Sequence, residues 1–361
     1  MHRYVPHFVQ PSRESVHLAI VYKNFGAVKG LSHIGLGVTA LTNMGVLNAA
    51  GFWTEVWKIL SAADLEAKLA HTRAHNLSHG EVPVSHVVVS APWIPTSDLS
   101  RIASEYHDVD FTMTCHSNIG FLQADTNGIR LMREGADLQT GSINFHIGAN
   151  TRRLIDWWES VYKSPMRYLP NLYDLTKAKT GARTWRSGNT LRIGSFGAVR
   201  PLKNILTAGA AALEIGTRLQ ADMEFWVSAK RVEGGGDTIM RALQSMYAAL
   251  PSATLRYSDW QDWPAFRRTV RDMHLLIQPS YTESFSMVTA DAIAEGVPVV
   301  VSDAIDWAPS RWVASCDDAG YIADVGVSLL HNPSSAQDGL TALKTHNASG
   351  LLAWSDMLLG N

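Results

Sequence analysis

Two acidic residues stand out by their surroundings. Glu283 lies in Pro279-Ser280-Tyr281-Thr282-Glu283-Ser284-Phe285-Ser286, between an apolar run and a helix-like stretch over 285–295 that stops at Gly296. Asp291 follows eight residues later on that stretch. A carboxylate at a strand end orients hydroxyls or a cation, and backbone N–H groups at a helix start favour an anion. Taken alone, the string also fits an ordinary cap, with Thr282 or Ser284 capping and Glu283 as a first-turn acid.

A second group is Gly194-Ser195-Phe196-Gly197-Ala198-Val199-Arg200-Pro201-Leu202-Lys203-Asn204. Small residues after a strand let backbone approach a ligand. Arg200 and Lys203 supply positive charge where a diphosphate leaving group would need it. The bland alternative is a surface loop with two solvated cations. His116 and Asn118 end another strand-like run, Thr114-Cys115-His116-Ser117-Asn118. Gly26, Lys29, Gly30 and His33 form the turn after the first strand, without a dinucleotide fingerprint. Trp260, Trp263 and Lys230 or Arg231 follow further strands; core packing is at least as good a reading for the tryptophans. His71, His75 and His79 have the spacing of one helix face, but Asn76, Ser78 and Gly80 predict that the helix frays there, which disfavours a metal.

Glu283, Phe285, Asp291 and Ala292-Ile293-Ala294-Glu295-Gly296-Val297-Pro298-Val299-Val300 together resemble the C-terminal signature of GT-B retaining glycosyltransferases, family 4 in particular. The resemblance runs from the first βα unit to about residue 310 and is strongest over 190–302. It implies that Glu283 contacts donor-sugar hydroxyls and Asp291, in place of the usual Glu, the nucleotide ribose. It implies that Ser284, Phe285 and Ser286 face the sugar-phosphate and that Gly197 belongs to the donor site. Lys203 matches a lysine that binds the departing diphosphate. The neighbouring arginine position is Ser195 here, and Arg200 is the candidate replacement. His116 matches a cleft histidine near the sugar, and Gly26 and Gly30 the turn enclosing it. Leu169-Pro170-Asn171-Leu172-Tyr173-Asp174 is similar to the element that closes the first domain.

The implied reaction moves a hexose from a UDP- or GDP-sugar to an acceptor hydroxyl with retention and without a metal or other cofactor. The acceptor implied is a glycan or lipid-linked sugar, with His33 and Asn118 as weak contacts. The alternative is hydroxymethylated pyrimidine DNA, as in phage-type enzymes, tracked by Lys177, Arg183 and Trp185. A catalytically degenerate sugar-nucleotide-binding protein is the reading of another class.

These residues need a scaffold that puts strand ends together. Short apolar runs alternate with amphipathic stretches, which predicts parallel α/β units. Strands are expected over 16–22, 53–59, 86–90, 110–114, 143–147 and 166–169, then 190–193, 223–228, 253–257, 273–278 and 297–302. The expected architecture is two Rossmann-like, doubly wound parallel sheets facing across a cleft. The expected divisions are an acceptor-side domain at 1–174, a basic linker at 175–189, a nucleotide-sugar domain at 190–335 and a helical segment at 336–361.

Composition agrees with this size. The chain has 361 residues, enough for two cores, with 46% hydrophobic and 18% charged residues, which excludes a disordered chain. Lys+Arg total 31 against 33 Asp+Glu, so a protein that coats nucleic acid by net charge is excluded. Two cysteines exclude a disulfide scaffold and a cysteine-built zinc site. A reducing cytoplasm is the expected compartment, and neither a membrane span nor a secretory signal is visible in the sequence.

Overall fold

The computed structural model describes residues 12–23, 34–125, 127–179, 181, 184–228, 231–248, 250–259 and 261–360. The chain divides into two compact units. One comprises Met1–Asp174 with Ala348–Asn361, the other Leu175–Asn347.

The first unit holds six parallel strands: β1 (His17–Lys23), β2 (Trp53–Ile59), β3 (His86–Ser90), β4 (Asp110–Cys115), β5 (Phe145–Ala149) and β6 (Arg167–Tyr168), in the order β2-β1-β3-β4-β5-β6. The β-branched run Val87-Val88-Val89 lies at its centre because both sheet faces are covered there. Val87 and Val89 face a core with Leu99, Ile102, Met132 and Trp158. Val88 faces the other core, with Leu18, Ile20, Leu47, Leu172 and Trp354.

The second unit holds β7 (Leu191–Ser195), β8 (Met223–Ser228), β9 (Ala253–Ser258), β10 (Leu275–Gln278) and β11 (Val299–Val301), in the order β11-β10-β7-β8-β9 and all parallel. The strand order reverses between β7 and β10, which pair through Leu275–Ile193 and Leu276–Gly194. In open parallel sheets such a switch point is where the loops diverge and leave a crevice beyond the strand ends.

Three local expectations are corrected. The strand expected over 143–147 starts at Phe145. Ile143 is 93% exposed, and Asn144 instead donates to the carbonyls of Ala103, Tyr106 and Val109 at 3.0, 3.2 and 2.9 Å. The helix expected from 285 starts at Met287, because Ser286 sits in the left-handed region at φ 68° and blocks an earlier start. The helix carrying the three histidines does not fray. It runs Ala62–His79, opened by a Ser61/Asp64 capping box and closed by Gly80 at φ 68°. Asn76 is buried and spends its amide on the Val82 carbonyl at 2.7 Å, not on its own helix.

Candidate active site

In the second unit the two loops that leave the switch point meet. Lys203, at the end of the loop after β7, forms an ion pair with Glu283 in the loop after β10. Their side chains are only 14% and 11% exposed, so the bond is weakly screened. Ser280 Oγ donates to the same carboxylate at 2.9 Å. The surrounding backbone is equally determined. Tyr281 N–H donates to Leu202 O at 3.0 Å. Asn204, itself at φ 53°, donates to Pro279 O at 3.2 Å and Cys316 O at 2.5 Å.

Gly197 takes φ 115°, a conformation suited to glycine, and turns the chain sharply out of β7. Ser195, where the resemblance places an arginine, is a fully buried end of β7 whose hydroxyl has no hydrogen-bond partner among the described residues. Arg200 lies on the outer part of the turn, 3.3 Å from Glu233. Arg231 bonds the other oxygen of Glu233 at 2.6 Å. Burial alone would raise the Glu233 pKa, but the two guanidinium groups outweigh it and hold it below its ordinary value. Arg200 and Arg231 thus form a cationic pair around one acid, and the sequence pointed to Arg231 only as a variant of Lys230.

Past Glu283, Ser284 is half-buried and Phe285 and Ser286 are buried. The Phe285 ring stacks 5.2 Å from Trp307, whose indole donates to the Phe285 carbonyl at 2.8 Å. Trp307 escaped the sequence reading because nothing in its local pattern points back 22 residues. Asp291 is 3% exposed and accepts from Trp263 Nε1 at 2.8 Å.

The first unit carries His116 and Asn118 just beyond β4. His116 is half-buried and hydrogen-bonds Asn171, whose Oδ1 also accepts from Asn150 at 3.3 Å. Burial, only partly opposed by Asn171, lowers the His116 pKa from 6.5 to about 4. The imidazole is therefore neutral near pH 7, able to donate one hydrogen bond and accept another. Between about pH 4 and 6.5 the unfolded chain binds more protons at this site than the folded one, so acidification through that window destabilises the fold. An NMR titration should show no His116 transition from pH 5 to 8; a midpoint between 6 and 7 would contradict the burial of this ring.

Gly26, Lys29, Gly30, His33, Arg183, Lys230 and Trp260 lie outside the described residues. Lys177 is exposed, and Trp185 is half-buried with its indole donating to Asn189 O at 2.8 Å. No group of three or more His, Cys, Asp or Glu among the described residues is arranged to hold a metal ion. No helix among them is long and apolar enough to cross a membrane. A cavity of about 390 Å³ in the first unit, lined by Arg133, Asp137, Trp158, Tyr162 and Lys163, contains none of the candidate residues.

Solved structures share this architecture. Trehalose-6-phosphate synthase OtsA aligns over 94% of this chain and 98% of its own at 12% identity, TM-score 0.63. The fold is GT-B. Sucrose-phosphate synthase from Thermosynechococcus elongatus aligns over 93% and 97%, at 12% identity and TM-score 0.60. A point mutant of S. aureus TarM, solved with Fondaparinux, alpha-GlcNAc-glycerol and UDP, aligns over 75% of this chain at 14% identity and TM-score 0.55. The chain spans 55% of the TarM chain. Residues 151–305 match a family described as family 4 glycosyltransferase in conflict systems. That match covers the Lys203 and Glu283 loops and Asp291. No curated protein matches the sequence.

Proposed function

We propose that the chain is a retaining, metal-independent hexosyltransferase using a UDP- or GDP-sugar, with its donor site at the β7–β10 switch point. The observation that carries this is the enclosed Lys203–Glu283 pair, formed by two loops 80 residues apart at the place where a parallel sheet opens. The family 4 match over the same loops and the UDP named with TarM support it.

The pair suits a site that waits for a donor. A diphosphate carries more negative charge than one carboxylate, so it competes for the Lys203 ammonium. Glu283, released from its cation, then accepts from sugar hydroxyls. As the bond from the sugar C1 to the diphosphate breaks, its electron pair leaves on the phosphate oxygen, where Lys203 meets it. Arg200, loosened from Glu233, adds to that field. The acceptor oxygen takes the vacated position on the same face of the sugar, and its proton leaves with the diphosphate.

We take the acceptor to be a glycan or lipid-linked sugar, in a protein that serves a conflict system as the matched family's description says.

The direct test measures nucleoside diphosphate release from UDP-, GDP- and ADP-sugars. Each donor is run alone, with a lipid or glycan extract, and with hydroxymethylcytosine or hydroxymethyluracil DNA. Release that requires the extract is the expected result. Release that requires the DNA would replace the acceptor. Binding of a sugar nucleotide with no release under any condition would make the chain a binding protein.

A further inference from the structure

The cavity of about 390 Å³ in the first unit has walls of two kinds. One is a polar stripe on the helix Gly128–Gly141, where Arg133, Asp137 and Thr140 follow at i, i+4 and i+7 and so share a face. The other is aromatic. Trp158 and Tyr162 stand at i and i+4 on the helix Arg152–Tyr162, with ring centroids 4.5 Å apart. The Arg133 guanidinium lies 5.4 Å from the centroid of the Tyr162 ring and so links the two walls. Lys163, which ends the second helix at φ 54°, completes the lining with Ser164 and Pro165.

These walls are held by bonds of their own. Gln139 donates to Pro165 O at 3.0 Å and accepts from Ile147 N–H at 2.9 Å. It thereby ties the end of the first helix to β5 and to the segment after the second helix. Glu159 accepts from Met166 N–H at 3.0 Å, which fixes that segment from the other side. Gly135 lets the first helix sit close on the sheet, where a Cβ would lie 2.6 Å from Met113 Cε. One group in this framework is unspent. Trp158 is 1% exposed, and its Nε1 has no hydrogen-bond partner among the described residues. Buried N–H groups are nearly always paired, so this one is a donor in want of an acceptor.

The chemistry of the lining narrows the occupant. Tyr162, 36% exposed, offers an apolar ring. Trp158, Arg133 and Lys163 offer donors. Asp137 offers an acceptor, and so does Thr140, whose hydroxyl proton goes to Ala136 O at 3.1 Å. A fitting ligand therefore has an apolar face and an edge that both donates and accepts, which describes a pyranose with its C–H face and its hydroxyls. An anion fits less well. Both helices end at this cavity, so their C-termini bring partial negative charge, and Asp137 adds a full one against the two cations. The volume falls within the roughly 300–1,000 Å³ of small-ligand sites.

We propose that this cavity is a saccharide-binding site of the first unit, separate from the donor site, that holds a neutral pyranose with the Trp158 N–H donating to one of its oxygens. The site draws on none of the donor loops.

The test is an NMR titration of the full chain, with its indoles labelled and assigned, against the methyl glycosides of glucose, mannose, galactose and N-acetylglucosamine. At least one of these sugars should move the Trp158 indole N–H signal downfield, as expected when that proton gains an acceptor, with Kd on the order of 1 mM. Tyr162→Ala and Asp137→Ala, both at exposed positions, should each weaken that binding by about tenfold. Saturating UDP or GDP should leave it unchanged. A Trp158 signal that responds to none of these sugars overturns the proposal, and so does a response that both variants leave intact. A response to inorganic phosphate alone overturns it by making the cavity an anion site. Competition by UDP or GDP would place the sugar in the donor site and overturn it as well. Sugar binding here by a protein that takes no nucleotide would leave this site standing and remove the donor-site reading.

Discussion

Lys203→Ala is expected to lower kcat/KM for sugar transfer by about 10²- to 10³-fold, the usual effect of removing one preorganised group that meets charge developing in a transition state. Glu283→Gln should cost a similar factor by a different route, because it weakens the hold on the sugar and also releases Lys203. Since the two side chains bond one another, their effects should not add. Stability should show the same coupling with the opposite emphasis. Lys203→Ala strands an 11% exposed carboxylate without its cation, and removing one partner of a poorly solvated pair costs more than the pair contributes. The double variant Lys203→Ala, Glu283→Gln should therefore melt higher than Lys203→Ala alone. Steady-state kinetics with the preferred donor, together with a thermal melt of the three variants, checks both claims. A Lys203→Ala enzyme within about threefold of wild type, against the loss expected for such a group, would remove Lys203 from the reaction.

Much of this site was legible because its signals are local. An apolar run, then small residues and cations, then a helix marks the Lys203 loop. An apolar run, then an acid, then a helix marks the Glu283 loop. What a linear reading cannot supply is that these loops are neighbours, since that follows from β10 lying beside β7 in the sheet. Trp263 shows the same limit. From the sequence its ring reads at least as well as core, and only the packing of two helices shows its N–H committed to Asp291. The different settings of Ser195 and Arg200 are also a matter of three dimensions. Ser195 still belongs to a buried strand, whereas Arg200 lies beyond the Gly197 turn where a long cation reaches solvent and Glu233. The misread helix end at Asn76 has the converse cause. A residue type that commonly competes with helical hydrogen bonds finds an acceptor just beyond the helix end, the Val82 carbonyl, and the helix continues past it.

Trp354→Ala should be among the most damaging single changes outside the candidate site, costing about 3–5 kcal/mol. Trp354 is 1% exposed, on the helix Ser335–Leu359, whose residues from 348 onward belong to the first unit. It packs with Leu358 against Leu169 and Leu172, and its indole donates to Pro170 O at 2.9 Å. One turn earlier, Gly350 lets the helix come so close that a Cβ there would lie 2.7 Å from Leu172 Cδ2. The loss would spread along a short path within the first unit to the His116 loop. Pro170 precedes Asn171, which bonds His116 and Asn150, and Leu172 N–H donates to Asn43 at 2.7 Å. Folded Trp354→Ala protein should therefore show the His116 pKa moving from about 4 back toward 6.5 as the ring gains water. The second unit has its own core, so a denaturant titration should resolve into an early transition for the first unit and a later one for the second. A single transition at the wild-type midpoint would mean that the final helix is dispensable to the first unit, and that the His116 loop is held from elsewhere.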